Sequence, residues 1–94
     1  MKIRWLIAAI NDLVELKEYI SKENPVAARE VAAHIKEATK ALKDHPSMGK
    51  PGRVEDTREL VVPGLPYTIP YRVKGETIQI LRVLHQTMKW PGKL

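Results

Sequence analysis

The sequence predicts an α+β domain in which an N-terminal strand and a helical hairpin pack against a small antiparallel sheet. The chain has 94 residues, which is the size of a single core, so residues 1–94 are expected to form one domain. The first half shows apolar residues at helical spacing, and the second half shows short β-type runs separated by proline and glycine. With 44% hydrophobic and 29% charged residues, the chain is able to bury a core.

The N-terminal half is expected to contain one strand and two helices. Residues Lys2 to Ile7 are rich in Ile, Trp and Leu and predict a short strand. The apolar spacing from Asn11 to Lys22 predicts an amphipathic helix. Asn24 followed by Pro25 predicts the start of a second, because the Asn side chain caps free amides and proline at the first helical position gives up no hydrogen bond. This helix is expected to end near Asp44, about 30 Å away, so that the two helices form a hairpin.

The C-terminal half is expected to form an antiparallel meander. A loop rich in proline and glycine runs from His45 to Arg53. Proline and glycine then punctuate the chain again at residues 63–66, and a tight turn is predicted at residues 74–77. The predicted strands are Arg58 to Val62, Tyr67 to Val73 and Ile78 to His85. The last strand is apolar on both faces, which is typical of a central strand.

The tight turn predicts the register of the last two strands. If Val73 faces Ile78, one face of this ribbon is rich in Tyr, Ile and Leu and is expected to pack against the helices. The opposite face is expected to be open, basic and partly apolar. It would carry Thr68, Pro70, Arg72, Lys74, Gln79, Leu81, Val83 and His85, joined by Glu59 and Val61 of the preceding strand.

Three features of this register carry structural expectations. Glu59 and Arg72 lie diagonally on the open face, where an ion pair would contribute about 0–1 kcal/mol. Pro70 has no N–H to donate, so a bulge or a short neighbouring strand is expected beside it. Arg82 falls on the covered face, where its stem would pack while its charged end reaches outward.

The chain carries a net charge of +5 at pH 7, and most of that charge lies in its second half. The first 44 residues hold eight basic and seven acidic residues, whereas the remainder holds eight and four. Charge of this kind is compatible with nucleic acid, a ribosome or an acidic protein as partner, or with no anionic partner at all. The predicted contacts to phosphate or to an acidic surface are Lys50, Arg53 and Arg58.

Composition and spacing exclude several classes of site. The chain has no cysteine, which excludes disulfides, thiolate metal sites and cysteine nucleophiles. Its three histidines lack the spacing of a zinc site, and its glycines spell no phosphate-binding loop, so neither a metal nor a cofactor is expected. The apolar run at the N-terminus is too short to cross a bilayer, and we expect a cytoplasmic protein that does not contact membranes.

The chain resembles the RelE/ParE family of toxins from bacterial type II toxin-antitoxin modules, and the resemblance spans nearly its whole length. It rests on Trp5 in the first strand, Asn24-Pro25 between the helices, Gly49-Lys50-Pro51, Arg58-Glu59-Leu60, Pro66-Tyr67, Tyr71-Arg72-Val73 and the run from Ile80 to His85. The final Arg-Val-Leu-His is the most specific element and is most similar to ParE and StbE-type members. The resemblance implies an antitoxin encoded beside this chain as its partner, in a hetero-oligomer with or without a homodimer of the toxin.

The resemblance implies one of two modes of action. Ribonuclease members cut messenger RNA on the ribosome and need an acid, a base and a cation for the phosphate. In this chain His85, Arg72 and Lys89 would be the acid, the phosphate cation and an accessory cation. Such members tend to have Arg directly after the aromatic residue that Tyr67 matches, where this chain has Thr68.

This departure from the ribonuclease pattern favours the ParE-like mode, in which the toxin binds DNA gyrase and blocks it without chemistry of its own. A third alternative is an inactive member that still binds its antitoxin. In each case we expect an extended acidic segment of the antitoxin to cover the open face and neutralise its cations. The residues predicted to bind target or antitoxin are Glu59, Arg72, Leu81, Arg82, Val83, His85, Lys89 and Trp90.

Overall fold

A computed structural model describes residues 1–94 and shows two helices packed on one face of a six-stranded sheet. The helices are α1 (Ile7–Ser21) and α2 (Pro25–Lys40), and a 3-10 turn (Ala41–Lys43) extends α2. The strands are β1 (Lys2–Trp5), β2 (Lys50–Pro51), β3 (Arg58–Val61), β4 (Tyr67–Lys74), β5 (Thr77–Ile80) and β6 (Leu84–His85). The predicted α+β class, with a helical hairpin against a sheet, is confirmed. No helix is both long enough and apolar enough to span a bilayer.

The predicted antiparallel sheet is confirmed for β2 to β6. The place of β1 in the sheet is not predictable from the sequence, and its parallel pairing with β5 makes the sheet mixed. Its strand order is β1-β5-β4-β3-β2, and β6 pairs with β4 beyond the end of β5. β1 runs parallel to β5 and lies at one edge, whereas the remaining pairs are antiparallel. A parallel neighbour requires a long crossover, and here the helical hairpin begins that connection.

The two helix starts differ in how well the sequence predicted them. α2 begins as expected, with the Oδ1 atom of Asn24 accepting the N–H of Ala27 at 3.0 Å and Pro25 at the first position. α1 begins at Ile7, four residues earlier than predicted. The apolar spacing does not predict this first turn, because Ile7 and Ile10 do not lie on the stripe that faces the core. Both side chains are on the outer surface, 78% and 45% exposed.

The core lies between the hairpin and the sheet. Along α2, the residues at spacings of four, three and four are buried: Ala28, Ala32, Ile35 and Thr39. They meet a layer of sheet residues that are also fully buried: Ile69, Tyr71, Ile78 and Ile80. Burial of a large apolar side chain contributes about 1.5–3 kcal/mol, so each residue of this layer adds substantially to the hydrophobic stabilisation.

The predicted register of β4 and β5 is confirmed up to Ile80 and then changes. Val73 pairs with Ile78 and Tyr71 with Ile80, as expected. A continued register would pair Tyr67 with Leu84, but Tyr67 pairs with His85. One extra residue therefore lies between β5 and β6 and forms a bulge at residues 81–83.

The bulge lies where Pro70 interrupts the ladder. Pro70 has no N–H, and its carbonyl oxygen accepts the N–H of Leu81 at 3.0 Å. Because successive side chains in a strand alternate between faces, the extra residue reverses the direction of those that follow. Val83 joins the core cluster under the helices, and His85 shares the face of Tyr67. Their predicted place on the open face is wrong.

Candidate functional site

The sheet face opposite the helices has an exposed half formed by β1, β5 and the adjoining end of β4. Two rows of residues cross these three strands: Arg4, Gln79 and Arg72 in the first, and Lys2, Thr77 and Lys74 in the second. Arg72 is half-buried and its Nε donates to Oε1 of Gln79 at 2.7 Å, whereas the other three cations are exposed. We call Lys2, Arg4, Arg72 and Lys74 the cationic rows. They contain no acidic residue, and their positive charges favour an anionic partner.

Half of the cationic rows comes from β1, and the sequence did not predict that contribution. Arg72 and Lys74 follow from the tight turn, whereas Lys2 and Arg4 reach this face only because β1 lies beside β5. The alternation of Lys2 and Arg4 with apolar Ile3 and Trp5 is the signal that could have placed both cations on one face.

The other half of this face is covered, although no helix lies over it. The buried residues here are Thr68, Pro70, Leu81 and Leu84. The loop between β2 and β3 and the C-terminal tail meet on this side of the sheet, since Arg53 is bonded to Glu59, the residue paired with Pro70, and its guanidinium lies 3.6 Å from the centre of the Trp90 ring. The prediction that Leu81 lines an open surface is therefore wrong, since the residue is 4% exposed.

Glu59 holds this cover in place and does not pair with Arg72. Its Oε2 accepts the backbone N–H of Arg53 at 2.7 Å and the side-chain Nε of Arg53 at 3.4 Å. The side chain of Glu59 is 3% exposed. The predicted diagonal ion pair is wrong because Glu59 accepts hydrogen bonds from Arg53 and Arg72 donates its hydrogen bond to Gln79. Trp90, which could have anchored an interface, packs back on the protein's own loop.

The three residues proposed for a ribonuclease do not converge. His85 lies on the helix side of the sheet, where its ring meets Tyr67 edge to face at 5.3 Å. Its Nδ1 accepts the backbone N–H of Thr87 at 3.2 Å and lies 2.7 Å from the Thr87 hydroxyl. Arg72 lies on the opposite face, and Lys89 is exposed in the tail. Burial raises the pKa of the neighbouring Tyr67 above its ordinary value and favours the neutral phenol.

Arg82 joins the bulge to α1 through Asp12. Its Nε and NH2 donate to the two carboxylate oxygens of Asp12 at 2.7 and 2.9 Å, and the N–H of Val83 donates to Oδ2 at 2.9 Å. The Arg82 and Asp12 side chains are 20% and 13% exposed. The hydrogen bond to Asp12 raises the pKa of Arg82, which favours the charged guanidinium. Arg82 is on the helix side of the sheet, as predicted. Its guanidinium is paired with Asp12 and does not reach out to solvent as a free cation.

Asp12 has a structural role that the sequence does not predict. It lies off the apolar stripe of the predicted helix, so the helical spacing predicts a solvent-facing side chain. The signal that could have found it is Arg82 itself, because a cation on a covered face requires an acidic partner on the element that covers it.

Two of the three cations predicted to contact phosphate are hydrogen-bonded within the segments that flank β2. Arg58 donates to the carbonyl oxygen of Gly49 at 2.7 Å, and Arg53 is held by Glu59 as described. Lys50 is exposed on the edge strand β2. Of the three, only Lys50 has a side chain that is exposed and forms no hydrogen bond or ion pair.

Tyr71 fixes the loop that precedes β2 from the core side. Its hydroxyl accepts the N–H of Gly49 at 2.9 Å and donates to the carbonyl oxygen of Pro46 at 2.7 Å. A Cβ at position 49 would lie 2.7 Å from the Tyr71 ring, so this approach requires glycine. Burial raises the pKa of Tyr71, while the Gly49 N–H and the charge of Arg58 partly offset that effect. The glycine of the Gly-Lys-Pro motif is thus explained by packing.

Comparisons with known proteins identify the family. The sequence profile described as the ParE toxin of the type II toxin-antitoxin system parDE matches residues 3–90. The chain is 44% identical to the protein Y4kP of Sinorhizobium fredii, over 99% of this chain and 96% of that protein. It is 31% identical to the toxin RelE2 of Caulobacter vibrioides, over 89% and 93%.

Two solved structures share the fold at appreciable identity. The chromosomal ParDE toxin-antitoxin system of P. aeruginosa superposes with a TM-score of 0.83 at 32% identity, over 90% of this chain and 95% of that one. The toxin-antitoxin complex RelBE2 of Mycobacterium tuberculosis gives a TM-score of 0.57 at 29% identity, over 89% and 95%. The chain therefore belongs to the ParE toxin family and is the toxin component of a type II toxin-antitoxin system, with a cognate antitoxin as its partner.

Proposed function

We propose that this toxin acts in the cytoplasm by binding DNA gyrase and blocking it, without chemistry of its own. The observation that carries the proposal is the bulge at residues 81–83, which puts His85 on the face opposite Arg72. Acid–base cleavage of RNA needs an acid or base and a phosphate cation around one scissile bond. Two groups on opposite faces of a sheet do not meet that requirement.

The likeness to solved structures supports the same mode. Sequence identity to the ParDE and RelBE2 chains is nearly equal, at 32% and 29%, yet the TM-scores are 0.83 and 0.57. The backbone of this chain thus follows the ParDE system more closely than identity alone predicts. The proposed mode of action follows that likeness.

The contact surface for the target is proposed to be the cationic rows. Three of the four cations are exposed, and the half of the sheet that carries them has no covering segment. Of the predicted binding residues, Arg72 lies here, and exposed Lys89 in the tail is available to the same partner. Such a surface attracts an acidic region of the target from a distance, and this attraction weakens as ionic strength rises.

The test is a gyrase supercoiling assay with purified toxin. The wild-type chain is expected to inhibit supercoiling. The double variant Arg4→Glu/Lys74→Glu is expected to need at least about tenfold more protein, a loss of about 1.4 kcal/mol, because charge reversal replaces attraction at this surface by repulsion. Lys17→Glu/Lys22→Glu is the matched control, since it makes the same change of charge at two exposed positions, one in α1 and one at its C-cap. The control is expected to inhibit like the wild type.

Two results would contradict the proposal. Full supercoiling activity at a large molar excess of wild-type toxin would exclude gyrase as the target, and cut transcripts with arrested protein synthesis would then identify a ribonuclease. Normal growth of cells that express the chain without antitoxin would identify an inactive member of the family.

A further inference from the structure

The end of β4 has a free edge because β3 is shorter than β4. β4 runs from Tyr67 to Lys74, but β3 pairs only with residues 68–71. Residues 72–74 pair with β5 on one side and have no strand beside them on the other. The chain before β3 turns at Asp56, whose φ of 62° is left-handed and does not continue an extended strand.

The backbone of Val73 is the unpaired part of this edge. The carbonyl oxygen of Pro70 accepts the N–H of Leu81 on the β5 side, and that of Tyr67 accepts the N–H of Val62 on the β3 side, both at 3.0 Å. Because alternate residues of a strand direct their backbone groups to opposite sides, Val73 directs its N–H and C=O away from β5. Both groups lack a hydrogen-bond partner there. They are a template for another strand.

A pocket of about 300 Å³ lies at this edge. Its lining combines Arg72 and Val73 of β4 with Pro51 of β2 and with residues 56–58. This volume is at the lower end of the range of ligand pockets, so it suits a short extended segment and not a folded element. We call this pocket the β4 notch.

The β4 notch offers both donors and acceptors of hydrogen bonds. Arg72 is half-buried, and its Nε is bonded to Gln79, whereas its terminal nitrogens form no hydrogen bond. The N–H of Val73 is a further free donor. The carbonyl oxygen of Val73 and the exposed carboxylate of Asp56 are acceptors. A ligand that matches this set must supply an anionic group and an N–H donor together.

We propose that the β4 notch receives an extended segment of the target in which an apolar residue lies between two acidic ones. Added as an antiparallel strand, the apolar residue would exchange two hydrogen bonds with Val73. The Val73 side chain shares the face of Tyr71 and is 44% exposed, so it would meet an apolar partner. The two acidic residues would lie opposite Arg72 and Lys74, because cross-strand partners point to the same face.

This inference rests on the proposed function, because Arg72 and Lys74 belong to the cationic rows. The β4 notch opens at one end of that surface, so a single acidic region of the target would occupy both. The cationic rows attract such a region from a distance, whereas the notch would fix its backbone direction and register.

Two other occupants fit the β4 notch less well. A second copy of this chain, paired through the same edge, would bring Arg72 and Lys74 of both copies together, and like charges across a strand pair are destabilising. A nucleic acid supplies phosphates for the cations, but its backbone has no N–H for the carbonyl oxygen of Val73. Asp56 would also repel its phosphates. An acidic peptide satisfies both kinds of group.

The first test uses wild-type toxin and short capped peptides, with the NMR shift of the Val73 amide as the readout, at about 0.05 M salt. The peptide Ala-Glu-Val-Glu-Ala is expected to bind and to shift this amide. The matched peptide Ala-Glu-Pro-Glu-Ala has the same charge but no N–H for the Val73 carbonyl oxygen, and it is expected to bind at least about fivefold more weakly. Ala-Lys-Val-Lys-Ala is expected not to bind.

Two results of this titration would overturn the proposal. Equal affinity for the valine and proline peptides would show that no strand is added. Inorganic phosphate that shifts the Val73 amide as strongly as the valine peptide does would show a simple anion site.

The second test uses the variant Val73→Pro in the gyrase supercoiling assay. The N–H that it removes is unpaired in the free protein, and proline is tolerated at such an edge, so the ladder to β5 is retained. The variant is expected to need at least about fivefold more protein for the same inhibition. Val61→Pro is the matched control, since Val61 is 46% exposed and its N–H faces the side of β3 where β2 has ended. It is expected to stay within about twofold of the wild type.

Together the two tests separate the docking site from the identity of the target. If wild-type toxin does not inhibit gyrase but still binds the valine peptide at Val73, gyrase is rejected and the β4 notch is retained. Equal inhibition by Val73→Pro and the wild type would overturn the docking site and leave gyrase as the target. Protection of the Val73 amide from hydrogen exchange by the antitoxin, and not by gyrase, would also overturn the proposal.

Discussion

At the scale of single residues, Tyr71 connects the core to the loop that precedes β2. Its ring is fully buried against the helices, and its hydroxyl bonds Gly49 and Pro46 of the loop. Tyr71→Phe leaves the ring but removes both bonds, so the free energy of unfolding is expected to fall by about 1–3 kcal/mol. Urea denaturation at neutral pH measures this change.

Tyr19→Phe is the control for that substitution. Tyr19 is 77% exposed, so loss of its hydroxyl is expected to change the stability by less than about 0.5 kcal/mol. Equal effects of the two substitutions would show that the loop is not held by the Tyr71 hydroxyl.

The raised pKa of Tyr71 adds a dependence on pH to the same comparison. A tyrosine whose pKa is higher in the folded than in the unfolded state stabilises the fold below the unfolded value of 10.0, and that contribution is lost as pH rises through the folded pKa. Stability of the wild type is therefore expected to fall more steeply above pH 10 than that of Tyr71→Phe. Parallel pH profiles of the two proteins would contradict this.

The role of a residue was predictable from the sequence where its bonding partner lies a few positions away along the chain. The capping of α2 by Asn24 involves an amide three residues away, so its pattern is visible in the sequence. The bond from Asp12 to Arg82 spans 70 positions, and no local pattern reports it. The cover formed by Arg53 and Trp90 is hidden for the same reason.

At the scale of elements, the bulge decides which side chains the last strand presents. Asp12 of α1 accepts three hydrogen bonds from it, two from Arg82 and one from the N–H of Val83. Asp12→Ala would leave these donors without a partner in a mostly buried site, and the free energy of unfolding is expected to fall by about 2–4 kcal/mol. Thermal or urea denaturation measures the loss.

Glu37→Ala provides a control for the loss of an ion pair as such. It breaks the exposed pair with Lys40, which is expected to cost no more than about 0.5 kcal/mol. If Asp12→Ala is as mild as Glu37→Ala, the bulge is held by the backbone alone and the role assigned to Asp12 is wrong.

The register of β4 and β5 was predictable because a tight turn at residues 75–76 joins the two strands directly and fixes their alignment. The alignment that the turn sets ends at Pro70. Beyond it, the pairing depends on a proline without an N–H and on a carboxylate from α1. The sequence therefore predicts a bulge or a short neighbouring strand, but not which side chains change face. The position of β1 was unpredictable because its neighbour lies more than 70 residues away.

At the scale of the whole molecule, one half of the sheet is covered by helices on one side and by loop and tail on the other. Trp90 of the tail stacks on Arg53. Trp90→Ala is expected to lower the free energy of unfolding by about 1–3 kcal/mol, through lost apolar burial and the lost cation–π contact. It should also raise the binding of a hydrophobic dye, because Leu81 and Leu84 would be uncovered.

Lys89→Ala tests whether the effect belongs to the tail in general. Lys89 is exposed and neighbours Trp90 in sequence, so its substitution is expected to be nearly neutral in both assays. An unchanged dye signal for Trp90→Ala would mean that the tail does not shield that half of the sheet.

The bulge also affects how relatives should be aligned with this chain. A homologue with one residue fewer between positions 80 and 84 would have an uninterrupted strand, and its equivalents of Leu84 and His85 would exchange sides. Matching letters through this segment would then pair side chains that point in opposite directions. Transfer of a functional histidine across the family therefore requires counting the residues after Ile80 before comparing their identities.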